Sequence, residues 1–480
     1  MPARQPSKLT EFETQARLAS AVVTSEDSFQ GVLEADLKAI RSQIDPADDI
    51  VAQSVPEAKT PSVIIFQQGL VDVPTMVPPV VKYVREGKLD DVPSVKTVSS
   101  SKDAVSALLQ GDAILLVNGS QKALVLPFPA KLQPNKPLTD RVVRGPHEAF
   151  TSQLAQNLAL LRNLVQLRTM RVELFALVPD SEAKVALCYV AGSAPPSVRD
   201  EILERLQHVQ TRSLVDVTAL KLALADDSWS PFVNVQLTER VDTVAVALIR
   251  GRYGLFLTGA EQALIAPATF IEMMNPTEDR YLPRFLANTS RVIRWGSLFI
   301  ALLLESVYIA VTQVHQELLP TPLAFAIARS RIGVPLPVFA EVIVMALIIE
   351  VLREAAIRLP GYLSQTISIV GALVIGQAVV QASLISAPVI VLVAVVALAS
   401  FTVPQYELAL TVRFLRFPAM FGAAMLGLFG VTTYVLLLLI HMTKLRSFGV
   451  AFLSPLAPFH MSKLPRLFRW PMRAGKPELP

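Results

Sequence analysis

The chain has one cysteine and, beyond Trp295, no aspartate at all. A single Cys188 excludes an internal disulfide and any metal site built from several thiolates. It sits in the apolar run KVALCYVAG, so a buried structural thiol is expected. Charge is also scarce: 18% of residues are charged, against roughly 25% in an average soluble protein. The scarcity is uneven. After Trp295 stand seven acidic residues, all Glu, and thirteen Lys or Arg; residues 1–295 hold the remaining 33 acidic and 31 basic ones. A nearly neutral, normally charged front part therefore precedes a sparsely charged basic one. That is the pattern of a soluble region fused to a membrane region. The basic excess lies around hydrophobic segments, which points to anionic lipid as its partner and away from nucleic acid.

Motifs that carry chemistry are missing as well. There is no Gly-rich phosphate loop, no paired-His zinc motif and no nucleophile elbow. The five histidines, His147, His208, His315, His441 and His460, are scattered. Neither an enzyme nor a cofactor or metal site is expected. MPARQPSKLTEF contains no apolar leader, so the front part is expected to stay on the side where it is made.

Residues 1–60 read as a polar segment, helical in part, with Phe29, Val32, Leu33, Leu37, Ile40 and Ile44 at helical spacing. An α/β subdomain is expected over 61–135. A second, with a Pro-rich linker before it, is expected over 136–290. A transmembrane helical domain over 291–445 and a basic cytoplasmic tail over 446–480 complete the chain. ALLQGDAILLVNGSQKALVLP at 107–127 aligns without gaps, 140 residues on, with ALIRGRYGLFLTGAEQALIAP. Gly111 and Gly119 recur as Gly251 and Gly259. The fold class is thus two related α/β subdomains followed by an all-α membrane domain.

Apolar runs at 293–313, 366–382, 384–403 and 419–440 are each about long enough for a hydrocarbon core. The shorter run VFAEVIVMALIIEV between the first two suggests a buried or re-entrant segment, so four to six spans or re-entrant pieces are expected. Arg280, Arg284, Arg291 and Arg294 precede the first run. Lys444, Arg446, Lys463, Arg466, Arg469, Arg473 and Lys476 follow the last. Both ends then face the cytoplasm.

Ionisable residues inside such a region are costly and informative. Glu305, Glu341, Glu350, Arg353, Glu354 and Arg358 are candidates for an intramembrane ion-pair network or a gate. Ser368, Gly371, Ala372 and Ile375 form a small-residue stripe suited to close helix packing. Thr366, Val370, Leu373, Gln377 and Gln381 share another face, polar at its ends and apolar between, and are candidates for a pore lining.

RVVRGPHEAF (141–150), SPF with TERVD (230–242), EDRY (278–281), VYIAVTQVHQELLPTPL (307–323), VPLPVFAEV (334–342), LREAAIRLP (352–360), ISIVGALVIGQAVV (367–380), RFLRF (413–417) and KLRSFG (444–449) occur in this order. In that order and spacing the chain resembles the GerA-type spore germination proteins, specifically the A subunit of nutrient germinant receptors. Glu305 stands where the resemblance leads one to expect a less polar residue. The resemblance implies an A subunit in the spore inner membrane, with its N-terminal domain in the core cytoplasm. It also implies a homo-oligomer acting as a nutrient-gated ion channel, with a permease-like B subunit and a lipoprotein C subunit as partners. Two rivals are a non-conducting accessory or scaffold paralogue and a secondary transporter. The transporter is disfavoured because such folds need about ten spans in repeated halves.

Overall fold

A computed structural model describes residues 28–56, 58–88, 96–140, 142, 144–176, 183–209, 216–226, 229–358 and 381–459. The chain divides into two compact units. The first takes Met1–Leu224 and Leu237–Ala266; the second takes Ala225–Gln236 and Pro267–Lys476.

The first unit holds two five-stranded sheets. Its elements begin with α1 (Leu33–Ile44), β1 (Ile50–Ser54), β2 (Ser62–Gln67), α2 (Val73–Glu86), β3 (Lys96–Val98), α3 (Ser101–Gln110), β4 (Ala113–Val117) and β5 (Ala123–Leu126). They continue with α4 (Leu154–Val165), β6 (Met170–Ala176), β7 (Lys184–Val190), α5 (Pro196–His208), α6 (Val217–Leu224), β8 (Gln236–Thr238), α7 (Val241–Ile249), β9 (Tyr253–Leu257) and β10 (Ala263–Ala266). Strand order is β1-β2-β4-β5-β3 in one sheet and β6-β7-β9-β10-β8 in the other. These are the same topology, with the same helices between corresponding strands apart from the added α6. The pairs β1–β2, β2–β4, β4–β5, β6–β7, β7–β9 and β9–β10 run antiparallel. The recurring glycines have a conformational cause. Gly111, Gly119, Gly251 and Gly259 all have positive φ, between 79° and 96°, where a side chain is strained. At Gly251 a Cβ would also lie 2.3 Å from the Ser193 carbonyl oxygen.

The strands are apolar on both faces because both faces are covered. Ile65, Ile114 and Leu116 face Ile40 of α1 and Leu108 of α3. Their neighbours Ile64, Phe66 and Leu115 face Met76, Val80 and Val84 of α2. Edge strand β1 and helix α1 thus belong to the first sandwich, although both lie in the polar N-terminal stretch. Local signals set the helix ends. Asp72 caps α2, accepting from the Thr75 hydroxyl at 2.8 Å, and Gly87 at φ 74° ends it. Cys188 is fully buried on β7, and that burial pushes its thiol pKa up, as for an inert structural thiol.

A buried ion pair ties the two subdomains together. Asp49, just before β1, accepts from Arg162 of α4 through Nε and Nη2, both at 2.9 Å. Gln67 Nε2 donates to the same carboxylate at 3.0 Å, and Arg162 Nη1 reaches the Met170 carbonyl at 3.0 Å. Both side chains are essentially inaccessible to solvent.

The second unit is helical: α8 (Phe270–Met274), α9 (Arg284–Ile309), α10 (Thr321–Ser330), α11 (Val338–Arg358), α12 (Ala387–Ser400), α13 (Tyr406–Leu426) and α14 (Leu428–Lys444). A small hairpin, β11 (Arg446–Ser447) with β12 (Val450–Ala451), follows. Helix α9 runs on into a π-helical turn, Ala310–Val314. Two expectations change here. The short run around Glu341 and Glu350 lies in a continuous 21-residue helix, α11, about 31 Å long at 1.5 Å per residue. The apolar run 419–440 is not one helix but two, folded back on each other at Gly427, whose φ of 61° and ψ of −139° suit glycine alone. The Gly430 and Gly422 backbones touch across this hairpin, and Tyr434 Oη donates to the Leu415 carbonyl at 2.6 Å.

Because a buried charge left without its partner is costly, Asp49→Ala or Arg162→Met alone should lower unfolding free energy by about 3–5 kcal/mol. Replacing both with apolar residues should cost much less. Denaturant unfolding of the purified protein followed by near-UV circular dichroism measures both.

Candidate functional site

Three helices of the second unit bring charge into one buried cluster, and a fourth adds a hydroxyl. Arg416 on α13 is its centre. Its Nη1 donates to Glu305 of α9 at 3.1 Å, and its Nη2 donates to Glu350 of α11 at 2.9 Å. Glu350 also accepts from Arg413 of α13 at 3.3 Å and from Arg353 of its own helix at 3.4 Å. Arg353 reaches on to the Ser400 hydroxyl at the end of α12, at 3.2 Å, and lies over the Phe401 ring. Arg416 is 3% exposed and Glu305 1%, so this is a core feature and not a surface ion pair. Three guanidinium groups share two carboxylates. Glu305 Oε2, Arg413 Nε and Arg416 Nε are buried and make no hydrogen bond. The cluster is therefore incompletely satisfied, which low-dielectric surroundings make costly.

Of the residues singled out from sequence, the structure brings Glu305, Glu350 and Arg353 together. Glu341 stands apart and is fully buried: Oε1 accepts from Arg331 Nε at 3.2 Å, and Oε2 accepts from the Ser386 hydroxyl and amide at 2.6 and 2.8 Å. Glu354 and Arg358 pair with each other on an exposed helix face. Gln381 is exposed. Thr366, Ser368, Val370, Gly371, Ala372, Leu373, Ile375 and Gln377 lie outside the described residues. Arg413 and Arg416 were not among the sequence candidates. The signal for them is present in RFLRF: two arginines three apart in an otherwise apolar helix, hence on one face.

The outer surface of these helices is apolar too, although nothing among the described residues of the unit covers it. Phe285, Phe299, Val391, Leu398, Met425 and Leu436 are all exposed. Arg284–Val314 and Tyr406–Leu426 are long and apolar enough to cross a membrane by length and composition, and Ala387–Ser400 and Leu428–Lys444 are apolar but shorter. At the start of α9, Asp279 accepts from Arg291 at 2.8 Å and from Arg294 at 3.1 Å. The π-helical turn ends at His315, whose ring fills the space beside Gly427: a Cβ there would sit 2.4 Å from the imidazole Cε1.

The family model described as Bacillus/Clostridium GerA spore germination protein matches residues 35–478. This chain belongs to the GerA spore germination protein family. Spore germination protein A1 of Bacillus subtilis (strain 168) is 38% identical over 374 residues, 77% of this chain and 77% of that protein. From the same organism, the uncharacterized membrane protein YfkQ is 36% identical over 379 residues, 78% of this chain and 74% of that protein. The crystal structure of the N-terminal domain of the A subunit of the Bacillus megaterium spore germinant receptor GerK3 aligns with a TM-score of 0.39. Identity is 22%, over 52% of this chain and 99% of that one.

Two motifs of this GerA protein meet in its first unit. Ala149 of RVVRGPHEAF bridges to Arg240 of TERVD, and the Phe150 amide donates to the Glu239 carbonyl at 2.9 Å. Burial alone would raise the Glu239 carboxyl. The Thr139 hydroxyl and the Leu138 and Thr139 amides donate to it, and together they hold its pKa below the usual range. Beside it, burial raises Asp140 despite the bond from the Thr238 hydroxyl. These bonds bind the linker to the second sandwich, and they assemble neither a nucleophile nor a general base.

Arg416→Leu removes the partner of the buried Glu305 and one of the three arginines on Glu350, and should destabilise the helical unit by about 3–5 kcal/mol. Glu354→Gln touches an exposed pair and should change stability by about 0–1 kcal/mol. Gly427→Ala, which forces a Cβ into His315, should also lower the melting temperature of the detergent-solubilised protein. Differential scanning fluorimetry ranks the three.

Proposed function

We propose that this GerA protein is the A subunit of a spore germinant receptor, and that several copies of it surround a cation pathway opened when nutrient binds a partner subunit. The observation that carries the reading is the pairing of broadly exposed apolar helix faces with an ion-pair cluster buried in an otherwise apolar interior. Lipid is the surrounding that makes such an arrangement favourable. The helices described in one chain are too few to enclose water, so the pathway lies among copies. Its lining is the segment with Thr366, Val370, Leu373, Gln377 and Gln381, and the stripe Ser368, Gly371, Ala372 and Ile375 packs it against its neighbours. Family membership supports a permease-like B subunit and a lipoprotein C subunit as partners. Basic residues flanking the helices support a spore inner-membrane location with both termini in the cytoplasm.

The Glu305–Arg416–Glu350 cluster then holds the closed arrangement. Nutrient acts by binding more tightly to the complex when the arrangement is open, because only a difference in affinity shifts such an equilibrium. No catalytic step is involved.

The reading predicts ion flux from the purified chain in proteoliposomes. Val370→Ala and Leu373→Ala should widen the constriction and raise basal potassium leak several-fold over the unsubstituted protein. Flux indistinguishable from empty liposomes in all three preparations would end the channel reading.

A further inference from the structure

The chain leaves its second α/β subdomain in an unexpected place. Between α6, which ends at Leu224, and β8, which begins at Gln236, it crosses into the helical unit and back. The excursion is firmly held there. Phe232 is buried among Phe270, Leu408, Val412, Met442 and Phe452, its ring centroid 5.6 Å from that of Phe452. Thr411 of α13 donates its hydroxyl to the Pro231 carbonyl at 2.5 Å. Ser230 Oγ and His441 Nε2 of α14 are 3.0 Å apart. The Asn234 carbonyl accepts from Ser447 Oγ at 2.6 Å and from the Ala268 amide at 3.2 Å. Asp226 accepts from the Phe448 amide at 3.3 Å. An ordinary helix-to-strand connection takes about 2–6 residues over the surface and needs none of this.

One group of attachment points matters most: Thr411, with Leu408 and Val412 beside Phe232, stands on the same helix as Arg413 and Arg416. A packed helix moves as a body, so displacement of its first turns displaces the guanidinium groups that hold Glu305 and Glu350. We infer that residues 229–236, which run directly into β8, are a coupling strap, through which a change in the second α/β subdomain reaches α13 and the charge cluster. Calling it a gate linkage rests on the channel reading above. The coupling itself does not, and it is tested without conduction.

The test is hydrogen exchange by mass spectrometry on the full chain in lipid nanodiscs, in four forms: unsubstituted, Val244→Ala, Ser230→Ala with Thr411→Val, and all three substitutions together. Val244 is a fully buried core residue of α7, immediately after β8, and plays no part in the helical cluster. With the strap intact, Val244→Ala should speed exchange over residues 406–416 about fivefold, the low end of ordinary site-to-site coupling. Residues 338–349 should be unaffected. With Ser230→Ala and Thr411→Val in place, the same substitution should have less than half that effect. Equal acceleration with and without the strap bonds would overturn the inference, since the coupling would run by another path. So would no acceleration over 406–416 with the strap intact, or the same acceleration over 338–349, which would report global unfolding. If Val244→Ala does not fold, the milder Ile265→Val in the same core replaces it. Loss of ion flux in proteoliposomes would bear on the channel reading alone and leave these outcomes untouched.

Discussion

The arrangement of the helical unit depends on one guanidinium group. Arg416 divides its donors between carboxylates on two other helices, at 3.1 and 2.9 Å, and is itself 3% exposed. Glu305 has Arg416 as its ion-pair partner, whereas Glu350 shares Arg416 with Arg413 and Arg353, so losing this one guanidinium would leave the more deeply buried carboxylate uncompensated. The three helices must therefore come together at this point. The apolar residues have only to cover the outside, and many of their exchanges would be tolerated. Buried charge makes poor glue, but it discriminates sharply among arrangements, because a shifted packing leaves ions unpaired.

Helix α13 concentrates the consequences. At its first turns it takes the strap through Thr411; at its middle it carries Arg413 and Arg416; at its end it folds back through Gly427. The fold-back closes because Gly422 and Gly430 let two backbones touch and because His315 occupies the space a Cβ would need. The π-helical turn before His315 places that ring, and it follows the segment of α9 that holds Glu305. One helix thus links the strap, the ion pairs and the hairpin.

Some of this was legible in the sequence and some was not, for physical reasons. The paired subdomains were legible because Gly111, Gly119, Gly251 and Gly259 must adopt positive φ, which leaves a mark no other residue type can erase. Ion pairs one helical turn apart were legible too: Glu354 does pair with Arg358, and Glu350 with Arg353. Glu350's tighter partner is 66 residues away, and Glu305's is 111 residues away, so no spacing rule reaches them. The break at Gly427 was hidden because hydropathy runs on without interruption through both arms of the hairpin. The excursion at 229–236 left no periodic trace, since a strap is held by single carbonyls and one phenylalanine. Helix α1 was legible from the helical spacing of Leu33, Leu37, Ile40 and Ile44, but strand β1, and the place of both in the first sandwich, were hidden because an edge strand is polar enough to read as a tail.

The incompleteness of the charge cluster has a further meaning. Glu305 Oε2, Arg413 Nε and Arg416 Nε are buried with no hydrogen bond, and three cations face two anions. A network meant only for rigidity would be fully satisfied, because each orphaned group costs about 1–3 kcal/mol, and more when charged. Here the helices are held in register by ion pairs whose own satisfaction is partial, so a second arrangement that admits water or a counter-ion recovers part of the deficit. Glu350, the least buried member and shared by three arginines, is where such an exchange begins most cheaply. On the proposed function that is the property a gate needs: specific when closed, and separated from its alternative by a difference that ligand binding in a partner can supply.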